Sequence, residues 1–340
     1  MIEIDGSYKH GGGSILRLAS GFSVLTQKPI RVINIRAGRP NPGLQQQHLR
    51  GLESVSKLCD GKLFNAELNS TEIEFYPSRI VKGYAEIEIP TAGSVGLVIQ
   101  PILLASVFLK HPIKIKINGG ATVGKWAPPT PFLENITFKL LKRMGYEIEI
   151  NVLKHGFYPK GGADVEVDIK PMGELKPLFL DELGDIKSIK GISLASNFLK
   201  EAKVAERQVR SCKYILEKSF DVKIDIKTEY VNSLCPGSSF VIWLETENCI
   251  IGSDEIGERG VSADLIGKKV ANDLIKTYES GATVDRYTAD QIIPFLALTE
   301  KSLIKIPEIT GHIETSLWLA KKFLGKEFDL IKNKCITVKC

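Results

Sequence analysis

The stretch GGGSILRLASGFSVL at residues 11–25 sets the pattern on which the chain is organised. Three consecutive glycines run directly into apolar residues, which predicts a tight turn that opens a helix from about Ser14 to Leu25. After this helix we expect a strand at 30–35, a second helix at 44–59, and two alternating strands near 72–75 and 85–89.

The same order of elements recurs twice along the chain, and a repeat of this kind indicates one packing unit used several times. The second copy begins at Thr91 and the third near Val284. In the second copy, Thr130 is expected to cap a helix that Gly145 ends. For the second copy we expect strands at 113–117, 146–150 and 164–169, and for the third a helix through 290–298, a strand at 302–306, a helix at 312–324 and a strand at 336–339.

About a hundred residues with a different pattern separate the second and third copies. We therefore predict an α+β protein. Its large domain, residues 1–180 and 282–340, comprises three repeated α/β units with helices on one face of each sheet. A smaller inserted α/β domain spans residues 181–281. Within the insert we expect strands near 222–226 and 240–244 and helices near 205–219 and 263–278.

Composition places the chain among ordinary globular proteins, with 43% hydrophobic and 25% charged residues in 340. No apolar run reaches the ~18 residues of a membrane helix, and the first residues do not resemble a signal peptide. We expect a cytoplasmic protein without a membrane partner. The six cysteines form no C-x-x-C pair, which disfavours a zinc site and favours reduced thiols.

Among the five histidines, His312 is the candidate for chemistry because it follows Thr310-Gly311 at the start of a predicted helix. The partial positive charge of a helix N-terminus favours the neutral imidazole, which is the nucleophilic form, and the free N–H groups there can bind phosphate. A capping or packing role for this histidine is the alternative.

Phosphate is also suggested by the arginines in the first fifth of the chain, since guanidinium groups bind phosphate oxygens in pairs. A solvated surface strip is the competing interpretation. The glycines at 11–13 lack the spacing of a standard P-loop, and the chain has no G-x-G-x-x-G, G-x-S-x-G or H-E-x-x-H motif. The arginines in question are Arg17, Arg31, Arg36, Arg39 and Arg50.

Several segments, taken together, resemble the RNA 3′-terminal phosphate cyclase family. They extend from one end of the chain to the other, and their combination is far more specific than any one of them. The segments are 5–7, 11–17, 35–39, 42–44, 47–49, 92–94, 127–129, 155–162, 289–291 with Pro294 and 297–298, and His312 with Thr315.

The resemblance implies a three-step reaction on RNA that carries a 3′-terminal phosphate. The family's histidine attacks ATP to form His–AMP, AMP passes to the RNA phosphate, and the neighbouring 2′-hydroxyl displaces AMP to give a 2′,3′-cyclic phosphate. It also implies site residues: His312 as the nucleophile; Gln100, Tyr287, Thr288, Ala289, Asp290 and Gln291 around the nucleotide; and Arg17, Arg36, Arg39 and Gln47 in a phosphate pocket.

One departure concerns the divalent metal, magnesium or manganese, that the resemblance implies. Family members commonly have Glu before the three glycines, whereas this chain has His10 after Lys9. Neutral imidazole prefers softer metals than magnesium, so His10 is a tentative metal ligand only. Two other functions stay open: a non-catalytic relative in ribosomal RNA processing, against which His312 argues, and a carboxyvinyl transferase of related architecture. The oligomeric state is open, with a homodimer as one option.

Overall fold

The computed structural model describes residues 1–9 and 12–340. His10 and Gly11, to which the sequence assigned a tentative metal ligand and part of the glycine turn, lie outside these residues. The described chain forms four small sheets with helices packed on them, which confirms the predicted α+β class. No helix in the described ranges is long and apolar enough to cross a membrane.

The first unit forms a four-stranded sheet in the order β1-β2-β4-β3. Strands β1 and β2 are parallel and are joined by helix α1, whereas the other two pairs are antiparallel. The elements are β1 (Ile2–Asp5), α1 (Gly13–Thr26), β2 (Ile30–Ile33), α2 (Gln46–Leu58), β3 (Lys62–Phe64) and β4 (Ile73–Tyr76).

The second unit repeats this topology, with strand order β5-β6-β8-β7 and one parallel pair followed by two antiparallel pairs. The repeat recognised in the sequence is therefore also a repeat of strand pairing. Its elements are β5 (Tyr84–Ser94), α3 (Val95–Ala105), β6 (Ile113–Ala121), α4 (Thr130–Phe132), a π-helical turn (Leu133–Thr137), α5 (Phe138–Arg143), β7 (Ile148–Lys154) and β8 (Asp164–Ile169).

The predicted cap at the start of α4 was wrong. The residue that precedes the helix is Pro129, and the buried hydroxyl of Thr130 has no hydrogen-bond partner among the described residues. Pro131 still lies in the first turn, where its missing N–H costs nothing. The π-helical turn follows directly, so the predicted single helix is built from three short pieces.

A sheet of different topology, β10-β9-β11-β12, lies between the second and third units in the sequence. In β11, alternate residues such as Ile242 pack with α6 and α7, whereas Val241 and Trp243 pack against Phe132 and Ile136 of the second unit. Because both faces are covered, the middle of the strand, residues 240–244, is a continuous apolar run. The elements are β9 (Ile186–Ser196), a 3-10 turn (Asn197–Leu199), α6 (Val204–Ser219), β10 (Ile224–Val231), β11 (Ser238–Thr246), β12 (Ile250–Ile256) and α7 (Ala263–Glu279).

The third unit has three assigned strands in the order β13-β15-β14, and a short backbone stretch takes the place of the missing parallel strand. Leu180 N donates to Leu303 O at 2.7 Å, Leu303 N donates to Leu178 O at 2.9 Å, and Phe179 pairs in parallel with Leu303. The third unit therefore begins at 178–180, before the insertion, rather than near Val284. The boundaries at 181 and 281 stay a prediction. The remaining elements are α8 (Arg286–Leu296), β13 (Leu303–Ile306), α9 (Gly311–Leu324), β14 (Asp329–Lys332) and β15 (Ile336–Lys339).

Helix α1 lies at the centre of the large core, where it contacts α2, α3 and α9. Eleven of its fourteen residues are buried, so it has almost no solvent-facing side. The crossing with α3 is close at Gly21, where a Cβ atom would lie 2.9 Å from Leu104 Cβ and 3.0 Å from the Pro101 carbonyl oxygen. The missing side chain is what lets these helices approach.

We expect Gly21→Ala to destabilise the fold by about 1–2 kcal/mol, because the cost of overpacking exceeds the helix propensity that alanine gains. Gly173→Ala is the matched control, since no atom lies within 4 Å of the position of its new Cβ. Urea unfolding followed by circular dichroism measures both variants. Equal midpoints for Gly21→Ala and the wild type would contradict the close crossing.

Candidate active site

A cavity of about 430 Å³ opens between helices α1, α8 and α9 and the end of strand β12, a volume typical of small-molecule sites. Residues from widely separated parts of the sequence meet there. Six of the residues predicted from the sequence line it: Arg17, Gln100, Tyr287, Asp290, Gln291 and His312.

His312 is the second residue of α9, whose N-terminus is capped by Thr310. The Thr310 hydroxyl oxygen accepts from the Ile313 N–H at 3.1 Å. The imidazole Nδ1 of His312 lies 3.1 Å from Oγ of Ser14, which is on α1. The contact joins the helices of the first and third units and orients the ring. Ser14 was part of a sequence motif, but nothing in the sequence indicated this partner.

Gly12 keeps the approach to the His312 ring open. A Cβ atom at this position would lie 3.2 Å from Nη2 of Arg39 and 4.0 Å from Cε1 of His312. Arg39 and the imidazole therefore flank the same glycine, and any side chain there would intrude between them. The missing side chain of Gly12 thus lets the backbone lie close to both groups.

Arg17 is a buried cation that faces the cavity, and its side chain is only 7% exposed. Its Nε donates to Oε1 of Gln100 at 2.8 Å, and no carboxylate among the described residues pairs with it. Burial lowers the pKa of Arg17 to about 10, so the side chain stays charged at neutral pH. A buried charge without a counter-charge is costly, and a bound anion would compensate it.

The other residues predicted for the phosphate pocket lie outside the cavity lining. Arg36 donates through Nη1 to the carbonyl oxygens of Asn41 and Gly43, at 2.5 and 2.9 Å, and so braces its own loop. Oε1 of Gln47 accepts from the Ser94 N–H at 3.2 Å. Only Arg39, beside Gly12, lies next to the catalytic histidine candidate. Of the four predicted residues, Arg17 lines the cavity and Arg39 lies beside it. The other two form hydrogen bonds with backbone groups of nearby loops.

His48 supports this region from behind. Its Nδ1 accepts from the Gln45 N–H at 3.2 Å, and its ring fills the space that a Cβ on Gly13 would need. Burial, with smaller contributions from the charges of Arg17 and Arg36, lowers the pKa of His48 to about 3. The ring is therefore neutral across the physiological range and acts in packing and orientation.

The predicted nucleotide segment 287–291 forms the first turns of α8, and only one side of it faces the cavity. Asp285 caps this helix by accepting from the N–H groups of Tyr287 and Thr288 at 2.9 and 2.8 Å. Thr288 and Ala289 are fully buried behind the cavity wall. Their part in the site is to hold the helix, whereas Tyr287, Asp290 and Gln291 present side chains to the cavity.

Two carboxyl groups in the cavity have raised pKa values. Burial, followed by the charges of Asp285 and Glu255, raises the pKa of Asp254 to about 8. Burial also raises the pKa of Asp290 to about 7, although its Oδ1 accepts from the Thr310 hydroxyl at 2.5 Å. The bond to Thr310 links α8 to the cap of α9. Asp254 lies at the end of β12 and matches no motif, so the sequence did not indicate it.

Within residues 1–9 and 12–340, no group of three or more His, Cys, Asp and Glu side chains is placed to hold a metal ion. Magnesium commonly needs only one or two protein carboxylates together with substrate phosphates. The cavity carboxylates Glu255 and Glu258 are of the required chemical type.

Comparison with known proteins identifies the family of this chain. Residues 8–330 match the family model described as RNA 3′-terminal phosphate cyclase. An RNA 3′-terminal phosphate cyclase of Pyrococcus furiosus is 43% identical over 330 residues, which cover 97% of this chain and 95% of the relative. The proteins of the same name from Pyrococcus abyssi and Methanosarcina barkeri are 42% and 37% identical, with 97% and 98% of this chain covered, and 95% and 98% of the relatives. The resemblance seen in the sequence is confirmed: the chain belongs to the RNA 3′-terminal phosphate cyclase family.

Proposed function

We propose that this chain converts the 3′-terminal phosphate of RNA to a 2′,3′-cyclic phosphate with ATP, through a nucleotide carried covalently on His312. The family makes ATP and RNA the expected substrates. The observation that carries the proposal is the meeting of His312, Ser14 and the uncompensated Arg17 at one cavity. A nucleophile, its orienting hydroxyl and a buried cation are the parts that attack on a phosphate requires.

In the first step, a ring nitrogen of His312 forms a bond to the α-phosphorus of ATP. The bond from that phosphorus to the bridging oxygen breaks, and pyrophosphate leaves with the electron pair. The other ring nitrogen then releases its proton to solvent, which leaves the imidazole ring of the phosphoramidate neutral. Because the nucleophile and leaving group lie in line, the protein contributes mainly position and charge neutralisation.

In the second step, an oxygen of the RNA 3′-phosphate attacks the adenylate phosphorus, the P–N bond breaks, and the imidazole is restored. In the third, the 2′-hydroxyl oxygen attacks the activated RNA phosphate and loses its proton. AMP leaves with the electron pair of the anhydride oxygen. The three steps together leave the enzyme without a net change, so one ATP is consumed for each cyclic phosphate formed.

The Ser14 contact selects the attacking nitrogen in this proposal. If Nδ1–H of His312 donates to Oγ of Ser14, the lone pair lies on Nε2, and attack proceeds from that atom. The N–H groups at the start of α9 and the guanidinium of Arg17 supply positive charge for the α-phosphate. Arg39, beside Gly12, supplies charge for the 3′-phosphate of RNA.

The nucleoside is proposed to bind between Gln100, Tyr287, Asp290 and Gln291. Thr137 and the Tyr287 carbonyl fix both ends of the Gln291 amide, with Oε1 accepting at 2.8 Å and Nε2 donating at 2.9 Å. The cavity carboxylates Glu255 and Glu258 would hold a divalent metal, magnesium or manganese, which would supply positive charge for the pyrophosphate.

We expect His312→Ala to abolish the acid-labile protein-bound nucleotide that α-labelled ATP should otherwise produce. The imidazole side chain is exposed, so its removal should hardly change stability. His111→Ala, at another surface histidine before β6, should label like the wild type. Labelling at wild-type yield in His312→Ala would show that another residue carries the nucleotide.

Ser14→Ala is expected to slow nucleotide transfer to His312 roughly tenfold or more, because the ring loses the partner that sets its tautomer and orientation. Single-turnover labelling at saturating ATP isolates this step. Ser316→Ala, a change at a neighbouring cavity residue that is outside the proposed chemistry, serves for comparison. If the rate of nucleotide transfer is unchanged in Ser14→Ala, the Ser14 hydroxyl does not orient the ring for attack and contributes to packing only.

The raised pKa values predict how ATP binding depends on pH. Asp254, with a pKa of about 8, carries a proton below pH 7 and becomes negative by pH 9, where it repels the triphosphate. Asp254→Asn removes that charge, so the variant should bind ATP like the wild type at pH 6 and roughly three to ten times more tightly at pH 9. Calorimetry measures the affinity for ATP, and a His312→Ala background in both proteins prevents turnover. If the ratio of the ATP affinities with and without Asp254→Asn is the same at pH 6 and pH 9, Asp254 does not lie near the phosphates.

A further inference from the structure

An exposed cation between two aromatic rings lies at the mouth of the catalytic cavity. The side chain of Trp126 is 89% exposed and that of Tyr158 is 46% exposed. Nζ of Lys125 lies 5.9 Å from the centroid of the Trp126 ring and 5.6 Å from that of Tyr158. We call Lys125, Trp126 and Tyr158 the aromatic platform. Large exposed rings in a soluble fold commonly mark a contact surface.

Backbone pairing joins the two chain segments that carry the platform. The Val123 N–H donates to the Gly156 carbonyl at 3.2 Å, and the Tyr158 N–H donates to the Val123 carbonyl at 3.1 Å. The backbone of Trp126 has a φ of 60°, which is unfavourable for a bulky residue. Because the ring is exposed to water, it makes few packing contacts that could offset the strain of this left-handed backbone conformation. Residues with such strained backbones concentrate at functional sites.

The platform is continuous with the catalytic cavity and with the Gln47 region. Lys125 and Trp126 are part of the cavity wall that contains His312 and Arg17. On the other side, a Cβ atom at Gly124 would lie 3.4 Å from Cβ of Ser94, whose N–H binds Gln47. A strand that leaves the cavity on this side passes over the aromatic platform.

We propose that the aromatic platform binds the unpaired bases next to the 3′-phosphate of RNA, an assignment that rests on the proposed function. Aromatic rings stack on any base, and a lysine between them contacts the phosphate backbone. Lys125 is paired with Glu258 at 3.2 Å, and an RNA phosphate would compete for this exposed cation. The two rings with a cation between them fit a single strand of nucleic acid better than an apolar peptide.

The test compares a single-stranded RNA with a 3′-phosphate and matched oligonucleotides in which the last or the next-to-last nucleotide lacks its base. Binding is followed by fluorescence anisotropy of a 5′ label, and cyclisation by product analysis. Trp126→Ala and Trp126→Phe are compared with the wild type. The matched control is Tyr214→Ala, because Tyr214 is an exposed ring on α6 that also has a lysine nitrogen, Nζ of Lys218, 3.9 Å from its centroid.

We expect Trp126→Ala to weaken RNA binding and to raise the KM for RNA roughly tenfold, the loss typical of one base stack, with a smaller change in the KM for ATP. Trp126→Phe should recover most of the loss, and Tyr214→Ala should match the wild type. Removal of one base should weaken wild-type binding to a similar degree but leave Trp126→Ala little affected, because the stack is already lost.

Three results would overturn the proposal. A raised KM for ATP with unchanged RNA binding would show that the Trp126 ring stacks on adenine instead. Equal sensitivity to the abasic nucleotides in the wild type and in Trp126→Ala would show that the ring contacts no base. RNA binding at wild-type strength in Trp126→Ala would show that the Trp126 ring does not contribute to RNA binding. Anisotropy does not require turnover, so a wild-type protein that binds RNA but never cyclises it would disprove the proposed function and not the platform.

Discussion

The packing of α1 against α3 and α9 is the constraint on which the rest of the site depends. Helix α1 carries Ser14 and Arg17, and α9 carries His312, so the distance between their axes sets whether the hydroxyl reaches the imidazole. Gly21 permits the approach to α3, and α3 brings Gln100 to the buried guanidinium of Arg17. Close-packed interiors transmit small shifts, so a change in this crossing would be felt at the histidine.

Repetition explains how three units that are distant in sequence make one site. Each unit must cover the apolar face of its own small sheet, and the helices of the three units do so against one another in a shared core. The N-termini of α1 and α9 then meet because the first helix of the first unit packs against the second helix of the third unit in this core. The inserted elements follow residues 178–180 in the chain. They do not break this arrangement, since residues 178–180 still pair with β13.

The cavity combines charges of opposite sign in a way that suits a nucleotide. Arg17 stays cationic although buried, and the carboxyls of Asp254 and Asp290 have pKa values of about 8 and 7. Near neutral pH Asp254 is largely protonated and Asp290 is about half protonated, so the arginine dominates the local field. A protonated carboxyl group adds no negative charge beside a bound phosphate. It can still donate or accept a hydrogen bond with the ribose or the base. The platform at the cavity mouth has a different chemistry, with rings and an exposed lysine.

The sequence by itself determined the repeat, the α+β class, most helix bounds and the candidate nucleophile. These depend on local rules: apolar spacing, turn residues and the position of His312 just after a cap residue. Local rules also explain the failures, since Thr130 resembles a cap but Pro129 occupies that position, and the first strand of the third unit is too short to show a period.

Only the tertiary structure decided which predicted residues share the cavity. Arg36 and Gln47 belong to the same motifs as Arg39, yet they bind backbone groups of nearby loops, while Asp254 and Trp126 reach the cavity without any motif. Side chains from α1, β12, α8 and α9 are adjacent through helix crossings and sheet edges, and these contacts between distant parts of the chain leave no periodic trace in a single sequence.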